Sequence, residues 1–255
     1  MKPSESISAA IERAKSRGST ALVGFLTGGF PTRASFKANL AAVAGACDVV
    51  EIGVPFTDPM ADGTTIQRAS YVALADGVTL PWILGELRSL ETRHRVPILL
   101  MSYLNPLLAY GLERLPQDAA AAGVAGFIVP DLPFEESGEL KAALDREGLA
   151  LIQMVTPVTP ADRLAMLCSA AEGFIYAVTM TGTTGKSVAV PDQVLEYMDR
   201  VKRASKIPVC AGFGIRSREQ VARFGAHVDG VVVGSALVEA LERGDDVGAF
   251  LASLR

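Results

Sequence analysis

Residues 21–54, ALVGFLTGGFPTRASFKANLAAVAGACDVVEIGV, contain one complete strand–helix–strand unit. The apolar runs ALVGFL (21–26) and CDVVEIGV (47–54) have the composition of buried strands, and the segment between them has the 3.6-residue periodicity of a helix. Two strands joined through a helix lie parallel in one sheet, with a right-handed crossover. This stretch therefore predicts a parallel sheet covered by helices.

The same unit recurs along the whole chain, at intervals of about 30 residues. Eight units in 255 residues match the size of a closed (β/α)8 barrel. The structural alternative is an open doubly wound sheet, but LTGGFPTR (26–33) lacks the G-x-G-x-x-G turn typical of that fold. We predict a single (β/α)8 barrel domain over residues 1–255, with an extra N-terminal helix within residues 1–18 that covers the barrel bottom. The eight apolar runs begin at residues 21, 47, 96, 124, 149, 173, 207 and 229.

The overall composition narrows the classes of partner. Apolar residues make up 49% of the chain and charged residues 20%, which suits a parallel sheet buried on both faces. The net charge is −4, the pI is about 5.3 and there is no basic run, so nucleic acids and anionic membranes are poor partners. No apolar stretch reaches the roughly 18 residues of a membrane span.

The cysteines and histidines do not form recognisable ligand patterns. Cys47, Cys168 and Cys210 lie far apart in apolar stretches without C-x-x-C spacing. We expect them to be reduced core residues, which favours a cytoplasmic location. His94 and His227 have no histidine or cysteine at ligand spacing, so no metal site is predicted.

Three carboxylates stand close together in VVEIGVPFTDPMADGTTIQ (49–67). Glu51 lies near the end of a predicted buried strand, where barrel enzymes carry catalytic groups. Desolvation there raises the pKa of a glutamate towards neutrality, which suits proton transfer. No basic residue is near Glu51 in the sequence, so a structural ion pair would need a partner from another strand. Asp58 and Asp62 stand in D-P and D-G pairs, which also occur in ordinary turns.

Three glycine-bearing loops follow the last three predicted strands, at residues 179–185 (TMTGTTG), 211–215 (AGFGI) and 232–238 (VVGSALV). Glycine lets backbone N–H groups approach an anion, and a helix N-terminus adds partial positive charge. Barrel phosphate sites often form after strands 7 and 8. Each loop alone is weak evidence, since turns use glycine anyway. Together they predict a phosphate ester as ligand, with Lys186 and Arg216 as outer assistants.

The order and spacing of these motifs resemble those of the tryptophan synthase alpha subunit family. EIGVPFTDPMADGTTIQRA (51–69), ILLMSYLNPLLAYGLERL (98–115), AGVAGFIVPDLPFEES (122–137) and YAVTMTGTTG (176–185) carry the resemblance, which spans almost the full chain. It implies a (β/α)8 lyase that cleaves indole-3-glycerol phosphate to indole and glyceraldehyde 3-phosphate. It also implies an α2β2 heterotetramer, in which a beta subunit with pyridoxal phosphate receives the indole. No cofactor is implied in this chain.

The resemblance also implies roles for individual residues. Glu51 is similar to the family's general acid/base, Asp62 to the aspartate that accepts the indole N–H, and Tyr176 to the tyrosine beside the reacting bond. Thr184 resembles a loop threonine that binds this aspartate when a lid closes, and Met180 stands where many members have arginine. The implied substrate- and phosphate-binding positions are Gly185, Phe213, Gly214, Gly234 and Ser235. The implied beta-subunit contacts or signalling positions are Asp58, Pro59, Asn105 and Asp131.

Three alternative functions remain open at this stage. A stand-alone indole-3-glycerol phosphate lyase would carry the same site and release free indole. A different phosphosugar barrel would lack the acid motif around Glu51. A barrel that only regulates a partner would not need Glu51 and Asp62, both of which are present. If the chain is an alpha subunit of this family, we expect it to catalyse slowly in isolation. We expect the beta partner to order the loops around residues 58–62 and 181–186.

Overall fold

The strands of the computed structural model, which describes residues 1–90, 95–179, 190–212 and 214–255, form a closed barrel. Each strand pairs in parallel with the next, and β8 pairs with β1. The barrel prediction is confirmed and the open sheet is excluded. The strands are β1 Ala21–Thr27, β2 Val49–Gly53, β3 Ile98–Met101, β4 Val124–Ile128, β5 Ala150–Val155, β6 Ile175–Val178, β7 Val209–Gly212 and β8 Gly230–Val233.

Helices surround the barrel, and second helices follow β2, β3 and β8. Gly111 (φ +99°) and Gly244 (φ +74°) end the first helix of two of these pairs, because their positive φ angles turn the chain away from a helical path. The helices are α1 Pro3–Ser16, α2 Phe36–Ala46, α3 Thr64–Ala75, α4 Leu80–Arg88, α5 Leu104–Tyr110, α6 Leu115–Ala121, α7 Gly138–Asp145, α8 Ala161–Ala170, α9 Asp192–Ala204, α10 Arg218–Gly225, α11 Ser235–Arg243 and α12 Val247–Ser253.

The strand register decides which side chains point into the barrel. Glu51 of β2 lies level with Phe25 of β1 and Leu99 of β3. Because side chains alternate along a strand, these three residues point to the same side of the sheet. Cys47, Cys168 and Cys210 are free and buried, in agreement with the sequence prediction.

The predicted extra helix α1 packs against the N-terminal end of the barrel. Its residues Ile7 and Ile11 are fully buried. Lys15 donates a hydrogen bond to Asp229 (3.0 Å), and Arg17, just beyond the helix, donates one to Asp48 (3.0 Å). α1 is therefore held both by apolar burial and by ion pairs to two aspartates of the barrel.

The two aspartates occupy equivalent positions, each directly before its strand, and each is buried. Asp48 accepts the Leu22 N–H (3.0 Å), and Asp229 accepts the Val209 N–H (2.9 Å). Each also binds a second cation, from Arg255 in one case and Lys202 in the other. Both carboxylates therefore join the first residues of a neighbouring strand to cationic groups outside the barrel.

The Asp229→Asn variant should be less stable to unfolding by about 1–3 kcal/mol, because Lys15 and Lys202 lose the buried carboxylate that accepts their hydrogen bonds. Burial raises the pKa of Asp229, but hydrogen bonds from Lys202, the Val209 N–H and Lys15 outweigh it and hold the pKa below its ordinary value. The difference from wild type should therefore be present above about pH 3.9 and shrink on further acidification. Urea unfolding at several pH values measures it. Asp192→Asn, whose side chain is 89% exposed, is the control and should change stability little.

Candidate active site

One cavity of about 530 Å³ opens at the C-terminal ends of the strands. This volume lies within the range of small-molecule sites, about 300–1,000 Å³. Six of the predicted site residues line it, and they come from four different strands or the loops that follow them. These residues are Glu51, Asp62, Tyr176, Gly214, Gly234 and Ser235.

Glu51 is fully buried at the inner end of this cavity. Neither of its carboxyl oxygens has a hydrogen-bond partner among the residues that the structure describes. The ion pair considered as a structural role for Glu51 is therefore not found in this part of the chain. Burial, and secondly the charge of Asp62, raise the pKa of Glu51 to about 8. At neutral pH its protonated form predominates, so Glu51 is an unpaired acid that faces a cavity.

Asp62 lies in the loop after β2 and is oriented by Tyr103. The Tyr103 hydroxyl donates to Asp62 Oδ2 (3.1 Å) and accepts the Ala61 N–H (2.9 Å). The Tyr103 ring stacks on Phe56, with 5.1 Å between ring centroids. Burial raises the pKa of Asp62 to about 6, against the lowering effect of the Tyr103 hydrogen bond. Asp62 is therefore mostly ionised at pH 7, whereas Glu51 is mostly protonated.

Tyr103 is a candidate site residue whose contact with Asp62 the sequence did not reveal. Tyr103 follows the end of β3 by two residues, so it lies at the C-terminal end of the barrel strands, where the cavity opens. Its partner is 41 positions earlier in the chain, so nothing in the local pattern indicates the bond. The Tyr103 hydrogen bond lowers the pKa of Asp62 and so helps to separate it from the pKa of Glu51. Two nearby carboxyl groups with separated pKa values are typical of acid–base sites.

Tyr176 occupies space that a glycine leaves open. It lies on β6 opposite Cys210 and lines the cavity. A Cβ atom on Gly212 of β7 would be 2.0 Å from the Tyr176 ring, so only glycine permits this ring position. Gly53 likewise leaves space for the Phe25 ring, because a Cβ atom on Gly53 would lie 2.6 Å from that ring. Both rings therefore lie across neighbouring strands inside the barrel mouth.

The predicted phosphate end lies at the loops after β7 and β8. Gly214 has a positive φ of +40°, Gly234 is the N-cap of α11, and Ser235 is its first residue. The first N–H groups of a helix have no partner within the helix, and they attract anions. The guanidinium of Arg216 is bound to both carboxyl oxygens of Glu239 (2.6 and 2.9 Å), so its charge is paired and two of its N–H donors are engaged. Thr184, Gly185 and Phe213, together with Met180 and Lys186, lie outside the described residues.

The predicted partner-interface residues lie on three successive loops or helices at the same end of the barrel. Asp58, Asn105 and Asp131 are exposed, and Asp131 accepts the Leu104 N–H at the start of α5 (2.9 Å). Pro59 is buried, and its carbonyl accepts the Asp62 N–H (3.1 Å), so it shapes the turn that carries Asp62. Large apolar side chains are also exposed after β2, β3 and β5, which the sequence analysis did not single out. These are Met60 (83% exposed), Leu108 (50%) and Val158 (77%).

Two further findings concern other classes of site. Within the described ranges, no group of three histidine, cysteine, aspartate or glutamate residues is arranged to hold a metal ion. None of the described helices has both the length and the apolar character needed to cross a membrane.

Comparison with known proteins gives one consistent family. The model of the tryptophan synthase alpha chain family matches residues 11–251. The tryptophan synthase alpha chain of Solidesulfovibrio magneticus is 47% identical over 246 residues, which cover 96% of each chain. That of Geobacter sulfurreducens is 46% identical over 242 residues, which cover 92% of each chain.

Solved structures agree with the sequence comparison. Tryptophan synthase subunit alpha from Legionella pneumophila superposes with a TM-score of 0.89 at 32% identity, covering 98% of this chain and 97% of that one. A chain of Mycobacterium tuberculosis tryptophan synthase in an open form has a TM-score of 0.89 at 35% identity, with the same coverage. The barrel, the cavity that the acid pair shares with the glycine-bearing loops after β7 and β8, and these relatives lead to one conclusion: the chain belongs to the tryptophan synthase alpha chain family.

Proposed function

We propose that this chain is the alpha subunit of a tryptophan synthase, a lyase that cleaves indole-3-glycerol phosphate to indole and glyceraldehyde 3-phosphate. The observation that carries the proposal is Glu51, a buried acid without a hydrogen-bond partner in the described chain, in one cavity with Asp62 and with Gly214 and Gly234 of the loops after β7 and β8. We also propose that residues 1–255 form one barrel domain. The reduced cysteines support a cytoplasmic location.

Glu51 is proposed to perform both proton transfers of the retro-aldol reaction. Its carboxylic acid protonates C3 of the indole ring, and the resulting carboxylate then takes the proton of the side-chain hydroxyl. The hydroxyl oxygen forms the aldehyde C=O bond, the carbon–carbon bond breaks, and its electron pair restores the aromatic ring. Glu51 ends protonated, ready for another cycle. A pKa of about 8 makes both forms accessible near neutral pH.

Asp62 is proposed to stabilise the charge that develops during protonation. As a carboxylate it accepts the indole N–H, and the ring becomes positively charged once C3 is protonated. A fixed negative charge at this nitrogen lowers the energy of the transition state. Tyr103 holds Asp62 in place through the hydroxyl hydrogen bond (3.1 Å). Tyr176 is proposed to pack beside the reacting bond, as its position in the cavity supports.

Capture of the phosphate is proposed at Gly214, Gly234 and Ser235. Backbone N–H groups at the start of α11 and the positive end of its helix dipole suit a phosphate dianion. β8 and β2 are both neighbours of β1, so the α11 end and Glu51 face each other across Phe25. A phosphate held there orients the reacting bond towards Glu51 without taking part in the chemistry.

The pH dependence of kcat/KM should be bell-shaped, with limbs near pH 6 and pH 8. Below the first limb Asp62 gains a proton and loses its charge, and above the second Glu51 loses the proton it must donate. Tyr103→Phe removes the hydrogen bond that lowers the pKa of Asp62, so the acid limb should move to higher pH. The second ionisation of the phosphate ester also lies near pH 6 but does not depend on Tyr103. Identical acid limbs in variant and wild type would contradict the role of Asp62.

A beta subunit is the proposed partner, in an α2β2 assembly in which the beta chain alone carries pyridoxal phosphate. Three exposed polar residues, Asp58, Asn105 and Asp131, support this surface as the docking site. Exposed Met60 lies in the same loop as Asp58, and exposed Leu108 lies in α5 with Asn105. Apolar side chains among polar ones are typical of interfaces.

Indole release from indole-3-glycerol phosphate, measured with and without a beta subunit, tests the function and the partner together. We expect slow release by the chain alone and faster release in the complex, because the partner favours the closed loops. Release that is equally fast in both states would favour the stand-alone lyase. An absence of release in both states would contradict the proposed reaction.

A further inference from the structure

The cavity has a second chamber outside the barrel wall. On β5, Met154 lies level with Tyr176, and both point into the barrel. The alternate residues Leu151 and Gln153 therefore point outwards, towards α7 and α8. All four residues line the same cavity, so the cavity borders both faces of the barrel wall at β5. The outer chamber is lined by Leu132, Phe134, Ser137, Gln153, Thr159 and Leu167.

Gln153 is the exceptional side chain of the outer chamber. It is only 8% exposed, and its Nε2 donates one long hydrogen bond to the Leu151 carbonyl (3.4 Å). Its Oε1 accepts no hydrogen bond from the part of the chain that the structure describes. A buried amide is normally satisfied on both its donor and its acceptor sides. An outward-facing position between a strand and a helix ordinarily carries an apolar residue, so the amide points to a ligand.

The other polar groups of the outer chamber are already engaged. The Ser137 hydroxyl donates to the Phe134 carbonyl (2.7 Å), and Thr159 Oγ1 accepts the Thr156 N–H (2.9 Å). At the rim of the cavity, the Arg163 guanidinium makes two hydrogen bonds to the carboxylate of Glu135, which balances its charge. Among the side chains that the structure describes, the chamber therefore offers the Gln153 carbonyl as an open acceptor, beside the second N–H of the same amide, between apolar walls. The Arg163 charge at its rim is paired.

We infer that the outer chamber is a second binding site for a small, neutral aromatic heterocycle with a ring N–H. The N–H would donate to Gln153 Oε1, and the ring would pack between Leu151 and Leu167. A charged ligand would lose its hydration without gaining an ion pair there. Indole, the proposed product, has this chemistry, and its choice as the natural ligand rests on the proposed function.

Binding of 5-fluoroindole to the full chain, followed by ¹⁹F NMR, tests the inference. An indole-3-alkyl phosphate without side-chain hydroxyls first saturates the inner chamber, the part of the cavity that Glu51, Asp62 and Tyr176 line, where it cannot be cleaved. We expect one further 5-fluoroindole to bind per chain. Gln153→Leu should weaken this binding about tenfold, the worth of one hydrogen bond. Gln117→Leu, which alters an exposed glutamine on α6, is the matched control and should bind as wild type does.

A second variant and a crystallographic observation keep the inference testable if Gln153→Leu does not fold. Leu167→Phe narrows the outer chamber from the opposite wall and should also weaken binding. A crystal soaked with 5-bromoindole in the presence of the phosphate ester should show anomalous bromine density between Gln153 and Leu167. Displacement of all fluoroindole by the phosphate ester, or equal affinity in wild type and a folded Gln153→Leu variant, would overturn the inference.

The outcomes also separate this inference from the proposed function. Normal release of indole from indole-3-glycerol phosphate, without fluoroindole binding once the inner chamber is filled, would refute the second site and leave the lyase intact. Fluoroindole binding without any cleavage would refute the lyase and leave the outer chamber as a binding site.

Discussion

Glu51→Gln should fold and bind indole-3-glycerol phosphate but lose at least about 10³-fold in kcat, because the amide can neither donate the proton to C3 nor accept one from the hydroxyl. General acid–base catalysis supplies about 10²–10⁴-fold in a typical enzyme, and here one group serves both transfers. Single-turnover release of indole measures the chemical step, and KM should change little. Turnover at the wild-type rate would refute the assignment.

The stability of the same variant provides its control. Burial raises the pKa of Glu51 from an ordinary value near 4.5 to about 8 in the folded chain. Wild-type stability should therefore fall as the pH rises through this interval. Within it the folded chain still holds the Glu51 proton, whereas the unfolded chain has already lost it. Glutamine does not titrate, so Glu51→Gln should be more stable than wild type at pH 8 and nearly equal to it below pH 4.5. A variant that is inactive but more stable cannot be inactive through misfolding.

Asp62→Asn should reduce kcat by about 10²–10³-fold, the usual effect of removing one electrostatic stabiliser of a transition state. Asparagine keeps the shape and the hydrogen bond to the indole N–H but carries no charge to balance the protonated ring. The loss should therefore appear mainly in kcat rather than in KM. Removing the negative charge should also lower the pKa of Glu51, since Asp62 is the second cause of its rise.

A matched variant separates this effect from a general loss of negative charge. Asp245→Asn neutralises a partly exposed aspartate between α11 and α12, where the carboxylate binds Arg243 (2.7 Å). It should leave kcat and the pH profile unchanged. If Asp62→Asn retained wild-type kcat, Asp62 would be a turn residue, as its D-G pair alone would suggest.

Much of the architecture follows from local patterns in the sequence. Eight apolar runs separated by helical periodicity determine a parallel barrel, because each pattern depends only on residues within one element. The position of Glu51 inside one such run, and the glycines that follow the last strands in the sequence, predict a site at the barrel mouth, where Glu51, Gly214 and Gly234 line one cavity. Local patterns also predict α1, since its apolar residues recur at helical spacing.

Only the closed barrel determines how these residues act. The Tyr103–Asp62 hydrogen bond joins positions far apart in the chain, and so does the pair of hydrogen bonds from Arg216 to Glu239. An ion-pair partner for Glu51 could come only from another strand, so its presence depends on how the eight strands are arranged around Glu51. Burial by those strands raises the pKa of Glu51. Desolvation and charge–charge interactions depend on distances in space, and these are set by strand register and barrel closure, not by spacing along the chain.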